Sequence, residues 1–148
     1  MIERFDRSCF KPVSYELRLG SASALAGVGE KSQKDEMEVP DLREVALPYV
    51  MKPGEYLLGK SVESLNLPAN LMAFVVPTSF AIRIGLGINS GKIDPTYRGE
   101  VHFGIYNLTQ CDIQLSTGMR LVHLLVSEFK GEIIPLETKY FGAGVDFK

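Results

Sequence analysis

The residues best placed for chemistry lie in one stretch, Asn89-Ser90-Gly91-Lys92-Ile93-Asp94-Pro95-Thr96-Tyr97-Arg98-Gly99-Glu100-Val101. One strand leads into it and another leads out. Pro95 fixes its own φ and suits the first central position of a turn, and Gly99 relaxes the exit. Asp94 adjoins Ile93 and lies three residues before Tyr97. A carboxylate and an aromatic ring can therefore line one pocket. The same residues also make a plain hairpin closed by an Asx-type turn, and the spacing alone leaves both readings open.

A second candidate is Pro77-Thr78-Ser79-Phe80-Ala81-Ile82-Arg83-Ile84-Gly85. Ser79 is read as the cap of a short helix, with Arg83 four residues on and on the same face. A helix start offers unpaired N–H groups and the positive end of a dipole, which suit a phosphate. Arg83 adds a rigid fork of donors. The plainer alternative is a capped helix with an exposed arginine. His123 lies in the apolar run Leu121 to Val126, where a histidine is commonly a satisfied core residue, and His102 fits an exposed strand position. The tail, residues 138–148, carries spaced glycines after Lys139 and Tyr140. It reads either as a mobile lid or as a frayed terminus.

The elements that position these residues are short strands. Ser14 to Gly20 alternates polar and apolar residues. Residues 21–44 turn small and then charged, and read as a loop or a projecting hairpin with a solvated surface. Met51 to Gly59 is a Pro-Gly turn feeding a strand, Ser61 to Leu67 is another extended piece, and Leu71 to Val76 is an apolar run of buried-strand length. Val101, Phe103 and Ile105 alternate with His102, Gly104 and Tyr106, a period of two. Cys111 to Leu115 is a short strand, and Met119 to Val126 a buried one. Gly and Pro punctuation with almost no helical period predicts an all-β sandwich or barrel.

The chain has 148 residues and a formal charge of −2. That length fits a single domain, residues 1–148, with a real core. The charge gives no strong pull toward nucleic acid or a membrane. No apolar run reaches the length of a membrane span, and the first residues lack the apolar core of a signal peptide. Cys9 and Cys111 form no disulfide framework, so a reduced, cytoplasmic protein is expected. A zinc-dependent deaminase needs His-x-Glu and Pro-Cys-x-x-Cys. Neither motif is present, which argues against a catalytic zinc.

Several segments, in order, resemble one family. Gly91-x-Ile93-Asp94-x-x-Tyr97-Arg98-Gly99 is similar to the nucleotide-binding hairpin of the dUTPase and dCTP deaminase superfamily. Ser14-Tyr15-Glu16-Leu17-Arg18-Leu19-Gly20 resembles a segment near the start of dCTP deaminases, with Glu16 in place of an aspartate. Thr78 to Leu86 lies along their phosphate segment, Gly118-Met119-Arg120-Leu121 along a turn common to both branches, and Lys139-Tyr140 with its glycines along their closing tail. The resemblance implies a distorted jelly-roll barrel and a homotrimer with sites between subunits. It implies a pyrimidine deoxynucleoside triphosphate as ligand, with Mg²⁺ bound through the triphosphate. In residue terms it implies Asp94 as activator of the attacking water and Tyr97 packed on the deoxyribose. Ser79, Arg83, His123, Lys139 and Tyr140 would contact substrate, and the hairpin backbone around Asn89 and Ser90 would read the base.

Two departures matter. Thr78 stands where both branches keep a phosphate-binding arginine. Gly104, ten residues after Asp94, stands where dCTP deaminases place the glutamate that shuttles protons at the cytosine amino group. Glycine transfers no proton. A glutamate at this position is expected to point toward the nucleotide, since Gly104 opposes Phe103 and Ile105. The favoured activity is therefore hydrolysis of dUTP to dUMP and pyrophosphate. The alternatives are a dCTP deaminase with a substitute proton-transfer group, and a catalytically degenerate nucleotide-binding or regulatory protein.

Overall fold

The computed structural model describes residues 1–26 and 41–132. Strict alternation sets its central strand, β2 (Tyr15–Ala26): Tyr15, Leu17 and Leu19 are buried, while Glu16 and Arg18 between them are half-buried. Before it come β1 (Ile2–Glu3) and a 3-10 turn, Arg7–Cys9, capped by Asp6, whose side chain accepts from the Ser8 amide. After it come β3 (Asp41–Val45), β4 (Tyr49–Met51), β5 (Tyr56–Asn66) and β6 (Leu71–Pro77). A short helix, α1 (Ser79–Arg83), leads to β7 (Leu86–Asn89) and β8 (Lys92–Ile93). The described chain ends through β9 (Arg98–Asn107), β10 (Ile113–Leu115) and β11 (Arg120–Glu128).

Apart from β4 and β10, these strands form one antiparallel sheet in the order β7-β9-β5-β2-β11-β6-β8, with β1 added on β5 and β3 on β2. β2 serves both halves. Tyr15 to Arg18 pairs with β11, and Leu19 to Ala24 pairs with β5. The switch falls at a register shift between Leu19 and Ser21, at Gly20. A Cβ on Gly20 would stand 3.1 Å from the Ser61 carbonyl, so glycine permits the two backbones to close there. The bulge increases local twist and lets the sheet curl around its apolar face. Leu17, Leu19, Leu57, Phe103, Ile105 and Leu124 fill the interior, and the separate β4–β10 ribbon adds Met51 and Leu115. The predicted all-β barrel-like fold is what the structure has.

Of the two readings of residues 21–44, the paired flanks fit the hairpin: Ser21 to Ala26 is strand, paired with β3 through Ala22↔Val45 to Ala26↔Asp41. One local expectation is revised. The strand end of Met51–Gly59 and most of Ser61–Leu67 are joined in one strand, β5 (Tyr56–Asn66), interrupted by a register shift against β9 between Lys60 and Ser64. Buried Ser61 heals that bulge: its hydroxyl donates to the Glu63 carbonyl at 2.6 Å and accepts from the Val101 amide at 2.9 Å.

Candidate functional site

The turn carrying Asp94 is tightly built. The Tyr97 amide donates to the Asp94 carbonyl at 3.3 Å, with Pro95 and Thr96 between them. Thr96 has φ +69, at the position where a turn of this kind favours glycine. A β-branched residue there is strained, and its surroundings hold it. The Leu67 amide donates to the Tyr97 carbonyl at 2.9 Å, and the Tyr97 hydroxyl donates to the Glu100 carbonyl. Burial, and then the Glu100 charge, push the Tyr97 phenol above its ordinary range. The Tyr97 ring is half-buried against the core.

Asp94 lies at the exposed end of β8, and its carboxylate is ion-paired with Lys92. Residues two apart in a strand share a face, so the sequence did carry a signal for Lys92. Both side chains are more than half exposed, so this pair adds little stability and its partners can exchange. On the other flank the Ser90 hydroxyl donates to the Val75 carbonyl at 2.7 Å, and the Val75 amide donates to the Gly91 carbonyl. Ser90 thereby ties the hairpin to β6. Asn89, exposed, is the register partner of Gly104 across the β7–β9 ladder.

Gly104 itself is buried, and the reason is Tyr56. A Cβ built on Gly104 would meet the Tyr56 hydroxyl and stand 2.7 Å from its Cε2 and 2.8 Å from its Cζ. A glutamate at this position, expected to point toward a ligand, would first have to displace the Tyr56 ring. That space holds an aromatic ring.

The phosphate segment is also revised in detail. The helix cap is Thr78, not Ser79: the Thr78 hydroxyl accepts from the Ala81 amide at 3.1 Å and donates to the Arg120 carbonyl at 3.1 Å. Thr78 is buried, whereas Ser79 and Arg83 are exposed. Gly85, at φ +82, ends the helix, its amide donating to the Ile82 carbonyl. Among the described residues, no hydrogen bond or ion pair joins Ser79 or Arg83 to Asp94 or Tyr97. α1 packs on β7 and β11, and the length of β7, roughly 10 Å at strand rise, separates it from Asn89.

His123 is half-buried, with Nδ1 3.1 Å from the Ser14 hydroxyl. His102 is half-buried beside Lys60 across β5, and burial, then the Lys60 charge, push its imidazole below the usual range. Lys139, Tyr140 and the tail 138–148 lie outside the described residues. Among the described residues no three His, Cys, Asp or Glu side chains gather as a metal set.

The sheet, the hairpin and the helix now have counterparts. The profile of the dCTP deaminase-like family matches residues 1–129, and the chain belongs to that family. It is 31% identical over 135 residues to the dCTP deaminase, dUMP-forming, of Corynebacterium diphtheriae, covering 83% of this chain and 70% of the relative. It is 28% identical over 141 residues to the enzyme of the same name from Dictyoglomus thermophilum, covering 88% and 71%. Among solved structures, 2'-deoxycytidine 5'-triphosphate deaminase from Agrobacterium tumefaciens superposes with a TM-score of 0.65 at 22% identity. That match covers 84% of this chain but 43% of the other. A point mutant of the dUTPase from phage phi11 of S. aureus, described with a structural Mg(II) ion, gives 0.58 at 14% identity, covering 93% and 96%. At these identities the structural matches establish the fold.

Proposed function

We propose that this protein hydrolyses dUTP to dUMP and pyrophosphate and does not deaminate dCTP. The observation that carries this reading is the contrast between two positions. Asp94 presents an accessible carboxylate at the end of β8, whereas Gly104, ten residues on, lies beneath the Tyr56 ring and offers no acid or base. Asp94 takes a proton from water as the water oxygen bonds to the α-phosphorus, the bond from that phosphorus to the bridging oxygen breaks, and pyrophosphate leaves. Positioned general bases contribute roughly two to four powers of ten. Lys92 leaves the carboxylate as substrate arrives. Ser79, Arg83 and Lys139 hold the triphosphate, with His123 and Tyr140 beside it. Tyr97 packs against the deoxyribose, and the Asn89–Ser90 backbone meets the base.

A lone carboxylate at Asp94 does not make a protein cage for a hard cation. It fits Mg²⁺ that arrives on the triphosphate and keeps most of its oxygen ligands there. The ion when bound supplies Lewis-acid activation.

The separation of α1 from Asn89 along β7 supports a site completed by a second subunit, in a homotrimer. Exposed Phe74 and Val76 on β6 and Phe80 and Ile82 on α1 offer apolar surface for that contact. A reduced, cytoplasmic setting belongs to the same proposal.

The names of the relatives favour a second reading, deamination through a substitute group. Buried, fully engaged Thr78 favours a third, nucleotide binding without turnover. Incubation with dUTP, dCTP and dTTP plus Mg²⁺, with products separated by chromatography and ammonia assayed, distinguishes them. The expected result is dUMP and pyrophosphate from dUTP and no ammonia from dCTP. Ammonia released from dCTP at about one per second, a low but ordinary enzyme rate, refutes the first reading. Tight binding without any product supports the third.

A further inference from the structure

Gly104 is an odd residue for its place. It lies mid-strand in β9, between Phe103 and Ile105, where glycine weakens a strand. Its φ is not among the positive values of the chain, so it supplies no special backbone conformation. What it supplies is room, and Tyr56 uses that room. Tyr56 begins β5 opposite Tyr106, and its ring leans along the ladder until the hydroxyl end lies over Gly104.

The hydroxyl has two further properties. Among the described residues it makes no hydrogen bond, and no buried side-chain polar atom there lacks a partner. The half-buried Tyr56 therefore keeps its hydroxyl open to solvent. A packed aromatic ring with an uncommitted polar tip is an arrangement suited to orienting a ligand. The tip also has a defined address. Gly104 is the register partner of Asn89, so the phenol stands one strand across from the hairpin backbone that meets the base in the function proposed above.

We infer that Tyr56 is a specificity-determining residue of this site: its phenol O–H donates to the 4-oxygen of a uracil base and so favours a 4-keto pyrimidine over cytosine. The inference rests on the proposed nucleotide site. A phenol both donates and accepts, but a ring of fixed position holds its oxygen in one place. A 4-oxo group accepts the phenol proton there, the stronger of a phenol's two roles, while the 4-amino group of cytosine can only donate to its weakly accepting oxygen. Glycine at 104 is the complement of this choice, because any side chain there displaces the ring.

The test is binding of the non-hydrolysable α,β-imido analogues of dUTP and dCTP to the full-length protein, by calorimetry with Mg²⁺. Wild type and Tyr56→Phe are compared. Phenylalanine keeps the ring over Gly104 and removes only the hydroxyl, and an unchanged melting temperature verifies this. The expected result is about a tenfold loss of affinity for the uracil analogue, the scale of one neutral hydrogen bond. The cytosine analogue should change less than threefold, so the preference between bases collapses. A purely structural role for Tyr56 would move both affinities together. If wild type binds the uracil analogue and Tyr56→Phe binds it equally well, the role of Tyr56 is refuted and the nucleotide site stands. If wild type binds neither analogue, the site itself is refuted.

Discussion

Replacing Arg18 by methionine should unfold this protein far more easily, for a reason that can be read atom by atom. Glu63 is fully buried on β5. Its carboxylate receives the Arg18 Nε–H at 2.7 Å, the Arg18 amide at 2.9 Å and the Tyr15 hydroxyl at 3.0 Å. Arg18 in turn donates to the Arg4 carbonyl at 2.6 Å and approaches Asp6 at 3.6 Å. Burial, aided by the bond to Glu63, pushes the Tyr15 phenol well above its ordinary range. The bond to Glu63 likewise holds the Arg18 guanidinium above its usual value.

Arg18→Met leaves the apolar stem in place and strands the carboxylate with two neutral donors and no counter-charge. Breaking a buried pair from one side costs about 3–5 kcal/mol. The Asp6 contact is partly exposed and adds little. For a chain of this size each kcal/mol lowers the melting temperature by roughly 2–4 °C, so a fall of about 6–20 °C is expected. Denaturant titration gives the free energy directly. Arg18→Met combined with Glu63→Gln should lose less than Arg18→Met alone, because no buried charge remains. That positive coupling is the signature of the pair. A loss below about 1 kcal/mol for Arg18→Met would refute the argument.

Three further outcomes are expected. Asp94→Asn should abolish pyrophosphate release from dUTP while thermal melting stays within about 1 kcal/mol of wild type; undiminished turnover would make Asp94 a turn residue only. His102 should titrate below 6.5, its ordinary value, in an NMR pH series, because burial and Lys60 oppose its charge. With the folded value depressed, the unfolded chain takes up the proton first. Stability therefore falls as pH drops from the usual histidine range toward the folded value, and His102→Gln should flatten that part of the profile. Light scattering at micromolar concentration should show a trimer, and a monomer alone would oppose the shared site.

What the sequence disclosed was local, and what it concealed was long-range. Period-two alternation placed Val101, Phe103 and Ile105 inward because the strand itself enforces it. The turn at Asp94 was legible from Pro95 and Gly99 for the same reason. Gly104 was legible as a missing carboxylate, but its partner Tyr56 comes 48 residues earlier and meets it only through the β5–β9 register. The helix cap was missed by one residue. Thr78 and Ser79 carry the same hydroxyl chemistry, and what selects Thr78 is the bond between its amide and the Leu121 carbonyl of β11. No local pattern contains that contact. The joining of two extended pieces into β5 likewise depends on Ser61 reaching across to Val101.

These hidden partners decide what reverting the departures would do. Thr78→Arg restores the residue type kept in both branches of the family, and on sequence alone it should tighten triphosphate binding. The structure predicts the opposite balance. Thr78 is 2% exposed. Losing its hydroxyl removes the cap on the Ala81 amide, about 1 kcal/mol, and the bond to the Arg120 carbonyl. Forcing a longer side chain into the packed junction of β6 and β11 costs about 1–3 kcal/mol more. A destabilisation of about 2–4 kcal/mol is therefore expected, measured by denaturant titration, with no gain in affinity for the imido-dUTP analogue. Thr78→Ser, which keeps both hydroxyl bonds, should stay within about 1 kcal/mol of wild type. If Thr78→Arg is as stable as wild type and binds the analogue more tightly, the junction is more plastic than its hydrogen bonds indicate. The threonine would then be a simple loss of a phosphate ligand rather than a structural commitment.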